Sequence, residues 1–251
     1  MALVRAVFEK ELTLLKRYWF NTVGGLAANY ILFVFMFFGG QAVAPTVFEN
    51  NLTGIIVGWF VWAMSWSSFQ ESAQTLTREA TWGTLEQTYM TPIGIFPIMT
   101  ARIIVGLAFT VTTGLIMLIL MMATTGHWVL FDPFTVLPIA FVTMASATGL
   151  GFAFGGLALI YKQISSIFLI VQFLLLGAIG SPDLAITKVL PLSWGTTLLT
   201  YAMEENVSLW QLPIFDLLGV VAVSTGYIGI GYAAFGYAVR VAKRRGIMGH
   251  Y

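Results

Sequence analysis

The sequence predicts an all-α, polytopic membrane protein, and three observations carry that reading. Of its 251 residues, 58% are hydrophobic and only 9% charged, with a mean hydropathy of +0.87. Soluble domains carry roughly a quarter charged residues, and a chain of this length has no core able to hide so much apolar surface. The apolar residues gather into six runs, each near the 20 or so residues that the hydrocarbon of a bilayer requires. Lysine and arginine concentrate in alternate links between those runs, the asymmetry that sets orientation in a membrane. The net charge is +1 and no basic run is longer than Lys243-Arg244-Arg245, so nothing points to nucleic acid. Cysteine is absent, which excludes disulfides and thiol chemistry.

A single transmembrane domain, 1–251, is expected. It opens with an interfacial amphipathic helix over residues 2–19: Arg5, Glu9, Lys10, Glu11, Lys16 and Arg17 are scattered among apolar positions, and Leu3, Val7, Leu14 and Tyr18 lie roughly along one face. No uninterrupted apolar stretch or small-residue cleavage site there marks a removable leader. A bend near Asn21 to Gly25 is expected to separate this helix from the first span, 22–40, the alternative being a helix that simply continues into that span. A polar link with Pro45, Glu49, Asn50 and Asn51 leads to the second span, 52–69, with Trp59, Trp62, Trp66 and Phe69 along one side. The third span, 98–124, and the fourth, 136–161, flank a link with Gly126, His127, Asp132 and Pro133. Tyr161-Lys162-Gln163 breaks the chain before the fifth span, 164–180, and the sixth runs over 214–239.

Between the last two spans, 181–213 is no simple loop. Val189 to Met203 is too apolar for open water and too short to cross, which predicts a re-entrant helical hairpin on the outer side with Pro191 near the start of its second helix. An amphipathic surface helix is the alternative. With the N-terminus inside, eleven of the 12 basic residues are cytoplasmic and only Lys188 falls outside, alongside Glu49, Asp132, Asp183, Glu204, Glu205 and Asp216. Both termini are therefore expected in the cytoplasm. Ala147, Gly151 and Gly155 on the fourth span, and Ala222, Gly226, Gly229, Ala233 and Gly236 on the sixth, make close-approach faces of small residues, expected to pack helices within one chain, with a dimer seam as the alternative.

The polar interruption from Glu71 to Arg102 organises the rest. Arg78, Trp82, Leu85 and Tyr89 fall at i, i+4, i+7 and i+11, with Glu79, Gly83, Glu86 and Met90 on the adjacent stripe, and Thr91-Pro92 ends the helix they imply. Such a helix is either an interfacial link or a docking element. Gly83-Thr84-Leu85-Glu86 followed by Thr91-Pro92-Ile93 resembles the loop between the second and third spans in membrane subunits of type 2 ATP-binding-cassette (ABC) exporters. The order of elements resembles that family over nearly the whole chain. The resemblance implies that 71–97 is a cytoplasmic coupling loop in which Glu79, Trp82, Gly83, Glu86 and Pro92 meet a separate ABC ATPase subunit. It also implies a second permease chain, alike or related, in the plasma membrane.

The remaining chemistry agrees with a transport subunit lacking its own catalytic centre. None of the five lysines is followed by Ser or Thr, so no phosphate-cradling loop is present, and ATP and Mg belong to the implied partner. No acidic or basic residue lies near the midpoint of a span, which argues against ion coupling. His127 and His250 make no metal site, and no Ser/His/Asp set has a recognisable local motif. Trp59, Trp62 and Trp66, with Ser165, Ser166 and Gln172 of the fifth span, either line a cavity for an amphiphilic cargo such as a drug, antibiotic or lipid, or face lipid and neighbouring helices. A polysaccharide or ion cargo, or a scaffold or sensor without transport, is the competing expectation.

Overall fold

The structure, a computed structural model, describes residues 2–81, 95–161, 165–179 and 187–244, and every regular element among them is a helix. In chain order these are α1 (Ala2–Arg17), α2 (Trp19–Val43), α3 (Pro45–Asn50), α4 (Leu52–Thr81), α5 (Ile95–Thr125), α6 (Pro133–Tyr161), α7 (Ser165–Ile179), α8 (Ser193–Glu204) and α9 (Ile214–Arg244). Short 3-10 turns occupy Thr187–Val189 and Leu209–Gln211. Among the described residues five helices are long and apolar enough to cross a membrane: Trp19–Val43, Leu52–Gln74, Thr100–Thr125, Pro133–Ala158 and Ile214–Ala242. The protein is thus a polytopic, all-helical membrane protein in outline. The described part of α7 has 15 residues, about 22 Å at 1.5 Å per residue, against a hydrocarbon core of about 30 Å.

Helix α1 is amphipathic as expected. Its Val7 is buried against Ala101 and Val105, and Phe8 stacks on Phe109 at 5.5 Å, so its apolar side packs on the first half of α5. Arg5 and Glu9 pair at 2.8 Å on the exposed side. The break after α1 differs from the expected one. It is a single non-helical residue, Tyr18, with φ −114° and ψ 29°, and residues 21 to 25 lie inside α2. Thr22 N–H donates to the Tyr18 carbonyl at 3.1 Å. Backbone groups entering hydrocarbon must be satisfied locally, and that requirement overrides the weak helix preference of Asn21, Gly24 and Gly25.

Helix α6 is the centre of the bundle, with α4 and α9 packed closely along it. The Asp132 carboxylate starts it, accepting from Phe134 N–H at 3.1 Å and from the Thr135 hydroxyl, with Pro133 at the first helical position. All three central helices run in the same direction. Ser68 and Phe69 of α4 lie level with Met144 and Gly151 of α6, while Tyr227 and Phe235 of α9 lie level with Gly149 and Gly156. Close approach is achieved by glycine: a Cβ on Gly231 would sit 2.0 Å from the Gly149 carbonyl oxygen, and one on Gly151 would sit 2.7 Å from the Phe69 carbonyl oxygen. Lipid tails are as apolar as leucine, so such van der Waals packing, rather than burial from water, holds helices together at membrane depth.

The small-residue face predicted on the sixth span is not the packed one. A Cβ at Gly226, Gly229 or Gly236 meets nothing within 4 Å, and Ala222 and Ala233 are exposed. The buried positions of α9 among the described residues are Val220, Ser224, Gly231, Phe235, Ala238, Val239 and Ala242, on another face. The expectation was correct for Ala147 and Gly151 on α6: Ala147 is fully buried and Gly151 abuts α4.

The 187–213 segment is packed into the bundle. Helix α8 buries Ser193, Gly195, Thr196, Leu198, Leu199, Ala202 and Met203 against α4, α6 and α9. It begins at Ser193, two residues after Pro191, with Leu192 capping it at φ 72°. Trp194 Nε1–H donates to Asp216 at 3.0 Å, Lys188 lies 5.2 Å over the same indole, and the ring covers Gly219. Residues 180–186, the first limb of the expected hairpin, lie outside the described residues.

Candidate functional site

Of the expected coupling residues, Glu79 is in the last turn of α4, whose helix continues from Leu52 to Thr81 without interruption. Trp82, Gly83, Glu86 and Pro92 lie outside the described residues. The two helices flanking them, α4 and α5, are antiparallel neighbours: Gly106 approaches Glu71 near the loop, and Gly114 approaches Met64 further along. The 82–94 segment therefore leaves and rejoins the bundle at one pole. Helix α8 packs at the other, where Thr200 approaches Gly54 and Leu209 N–H donates to the Thr135 hydroxyl at 2.8 Å.

The aromatic row of α4 divides between packing and an open space. Trp59 and Trp62 are 4% and 2% exposed, with ring centroids 4.8 Å apart. Trp59 Nε1–H donates to the Asn29 amide oxygen at 3.2 Å, and Trp62 Nε1–H donates to the Gln172 carbonyl at 3.3 Å. Gln172 thus meets the row through its backbone, as part of the α4–α7 seam that also holds Phe69 against Phe168 and Ile179 near Gly58. Ser165 is the first residue of α7 and Ser166 is exposed.

Trp66 borders the open space. A cavity of about 350 Å³ opens between α2, α4 and α5. Helix α2 contributes Asn21, Thr22, Gly25 and Asn29; α4 contributes Trp66, Ser67 and Gln70; α5 contributes Thr110, Thr113 and Met117. No charged side chain is among its described lining residues. Asn21, Gly25 and Asn29 recur every four residues and so line up on one side of α2, over about 12 Å of helix. The cavity opens towards the pole from which the 82–94 segment departs, between the beginning of α2, the later apolar part of α4 and the middle of α5.

Apart from Trp66, sequence reasoning missed these residues. The signal was present as two asparagines and a glycine at helical spacing at the start of the first apolar run, with Ser67 and Gln70 at the end of the second. What the sequence does not carry is that the two polar faces meet each other. Compared with known proteins, the chain matches no family model and no curated protein matches it.

Proposed function

We propose that the chain is the membrane-spanning subunit of a type 2 ABC exporter, moving an amphiphilic cargo across the plasma membrane at the expense of ATP hydrolysed on a separate subunit. The observation that carries the reading is the Gly83-Thr84-Leu85-Glu86 and Thr91-Pro92-Ile93 wording of the segment between the second and third long apolar helices. Three features support it. Basic residues cluster at the pole of that segment, as a cytoplasmic face requires. Helix α8 is tucked into the opposite pole, where the family has its outer re-entrant helix. Helix α7 runs along α4 from Phe168 beside Phe69 to Ile179 beside Gly58, the course of a sixth span.

In this reading Glu79 and Glu86 pair with basic side chains of the ATPase, Trp82 anchors the contact, Gly83 admits close backbone approach, and Pro92 ends the coupling helix. Helix α4 transmits the movement, because one continuous helix joins the coupling segment to the packed core around α6. Two such chains with two ATPases alternate the cargo path between the two sides. ATP and Mg²⁺ are bound by the partner, and both termini of this chain are cytoplasmic.

The test is recovery of partners from native membranes in mild detergent, with the wild-type chain and with Glu86→Lys. A P-loop ATPase recovered with the wild type, and reduced by at least about tenfold with the charge-reversed variant, is the expected result. Cargo export should be lost while the variant remains folded. Absence of any ATPase, under conditions that preserve a known ABC complex, replaces this reading with a membrane scaffold or sensor.

A further inference from the structure

We propose that the cavity between α2, α4 and α5 binds an uncharged amphiphile with a hydrogen-bonding head, taken sideways from the membrane leaflet beside the 82–94 segment. This names a cargo class for the export reading and rests on that reading only for the direction of movement. Binding itself follows from the cavity.

The lining is mixed. Nearest the pole, Asn21, Ser67 and Gln70 offer neutral polar groups; further in, Leu26, Met64 and Met117 add apolar surface beside Asn29 and Thr113. A ligand matched to this has a polar, uncharged head and an apolar body. An ionic head of either sign would be desolvated without a counter-ion, since no charged side chain is among the described residues that line the cavity.

Hydrogen-bond accounting narrows the head group further. The Ser67 and Thr113 hydroxyls donate to carbonyls of their own helices at 2.9 and 3.1 Å, the Asn29 oxygen accepts from Trp59, and the Gln70 oxygen accepts from Gln74. The Asn21 amide has no hydrogen-bond partner among the described residues. It offers both a donor and an acceptor, which suits a hydroxyl or amide head.

The mouth faces sideways. Asn21, Gly25 and Ser67 are exposed on the flank of the bundle, whereas the buried residues of α2 are Phe33 and Phe37, further along the helix. The first half of α2 therefore stands clear enough for a membrane-dissolved molecule to enter beside it. At Gly25, midway between Asn21 and Asn29, an added Cβ meets nothing within 4 Å. A side chain added there starts in open space beside the cavity that Gly25 lines.

The test uses the full chain in phosphatidylcholine vesicles with a monoacylglycerol carrying a photoreactive diazirine in its acyl chain. Label is expected on peptides of α2, α4 and α5 that border the cavity. It should be competed by excess monoacylglycerol and not by equal excess of a fatty acid or an alkylamine. Gly25→Leu is expected to reduce labelling at least about tenfold by filling the space, and Asn21→Leu about fivefold by removing one hydrogen-bonding group, with thermal unfolding unchanged. Undiminished labelling of folded Gly25→Leu overturns the proposal. So does equal competition by the charged amphiphiles, or label spread evenly over the outer faces of α7 and α9. The competition arm uses the wild type alone and decides the matter if a variant fails to fold. Because no ATPase is involved, failure here leaves the export reading standing, and failure to recover an ATPase leaves this binding site standing.

Discussion

Gly231 and Gly229 are two residues apart on α9 and have opposite roles. A Cβ at Gly231 lands 2.0 Å from the Gly149 carbonyl oxygen, and backbone on both sides prevents an easy retreat; at Gly229 the same atom meets nothing within 4 Å. Forcing extra atoms into a packed contact costs about 1–3 kcal/mol. Gly231→Val is therefore expected to lower stability by about 2 kcal/mol more than Gly229→Val, since the change in helix preference is common to both and cancels. Thermal unfolding of the two variants in detergent measures the difference. Equal midpoints would mean that α6 and α9 do not touch at this pair.

Helix α8 shows how a short element is secured without length. Its 12 residues span only about 18 Å, yet it is fixed on several sides. Gly195 lies against Thr143 of α6, Thr200 approaches Gly54 of α4, and Trp194 covers Gly219 of α9 while donating to Asp216. A hydrogen bond to an ionised group contributes about 1.5–3 kcal/mol when well shielded. Asp216 is 29% exposed by its side chain, so Trp194→Phe is expected to cost nearer 1 kcal/mol. The loss should be local. Amide exchange in α8 is expected to quicken about fivefold, while exchange in α4 and α6 stays as in the wild type; uniform acceleration would show that α8 is not a separately secured unit.

The whole molecule has two poles, and the chain's lack of cysteine makes their sidedness directly measurable. Trp210, 92% exposed, belongs to the α8 pole, whereas Gln74 and Tyr161, both exposed, belong to the pole of the 82–94 segment. In the proposed topology a membrane-impermeant maleimide labels Trp210→Cys on intact cells, and labels Gln74→Cys and Tyr161→Cys only after permeabilisation. Labelling of all three from one side would remove α7 as a span and the cytoplasmic location of the coupling segment with it. The two poles also divide the functional readings: Glu86→Lys should act on the ATPase contact at one pole, while Gly25→Leu acts on the cavity that begins beside it.

Residue composition and run length alone determined the membrane class, the approximate limits of the five long apolar helices and the amphipathic α1, whereas the sixth expected span, α7, is described over only 15 residues. The reason is local: in hydrocarbon each backbone group must be satisfied within its own segment, so a long apolar run has few alternatives to a helix. Charge distribution likewise stated which links share a side before any coordinates. Which face of each helix is packed was not legible in the same way. In a soluble helix the polar side marks the exterior, but the spans here are apolar around most of their circumference, so α9 offered an attractive row at Gly226, Gly229 and Gly236 while the contact falls on Gly231 and Phe235. The cavity posed the same difficulty. Asn21 and Gln70 lie 49 positions apart in the sequence, and only the antiparallel packing of α2, α4 and α5 makes them two walls of one space.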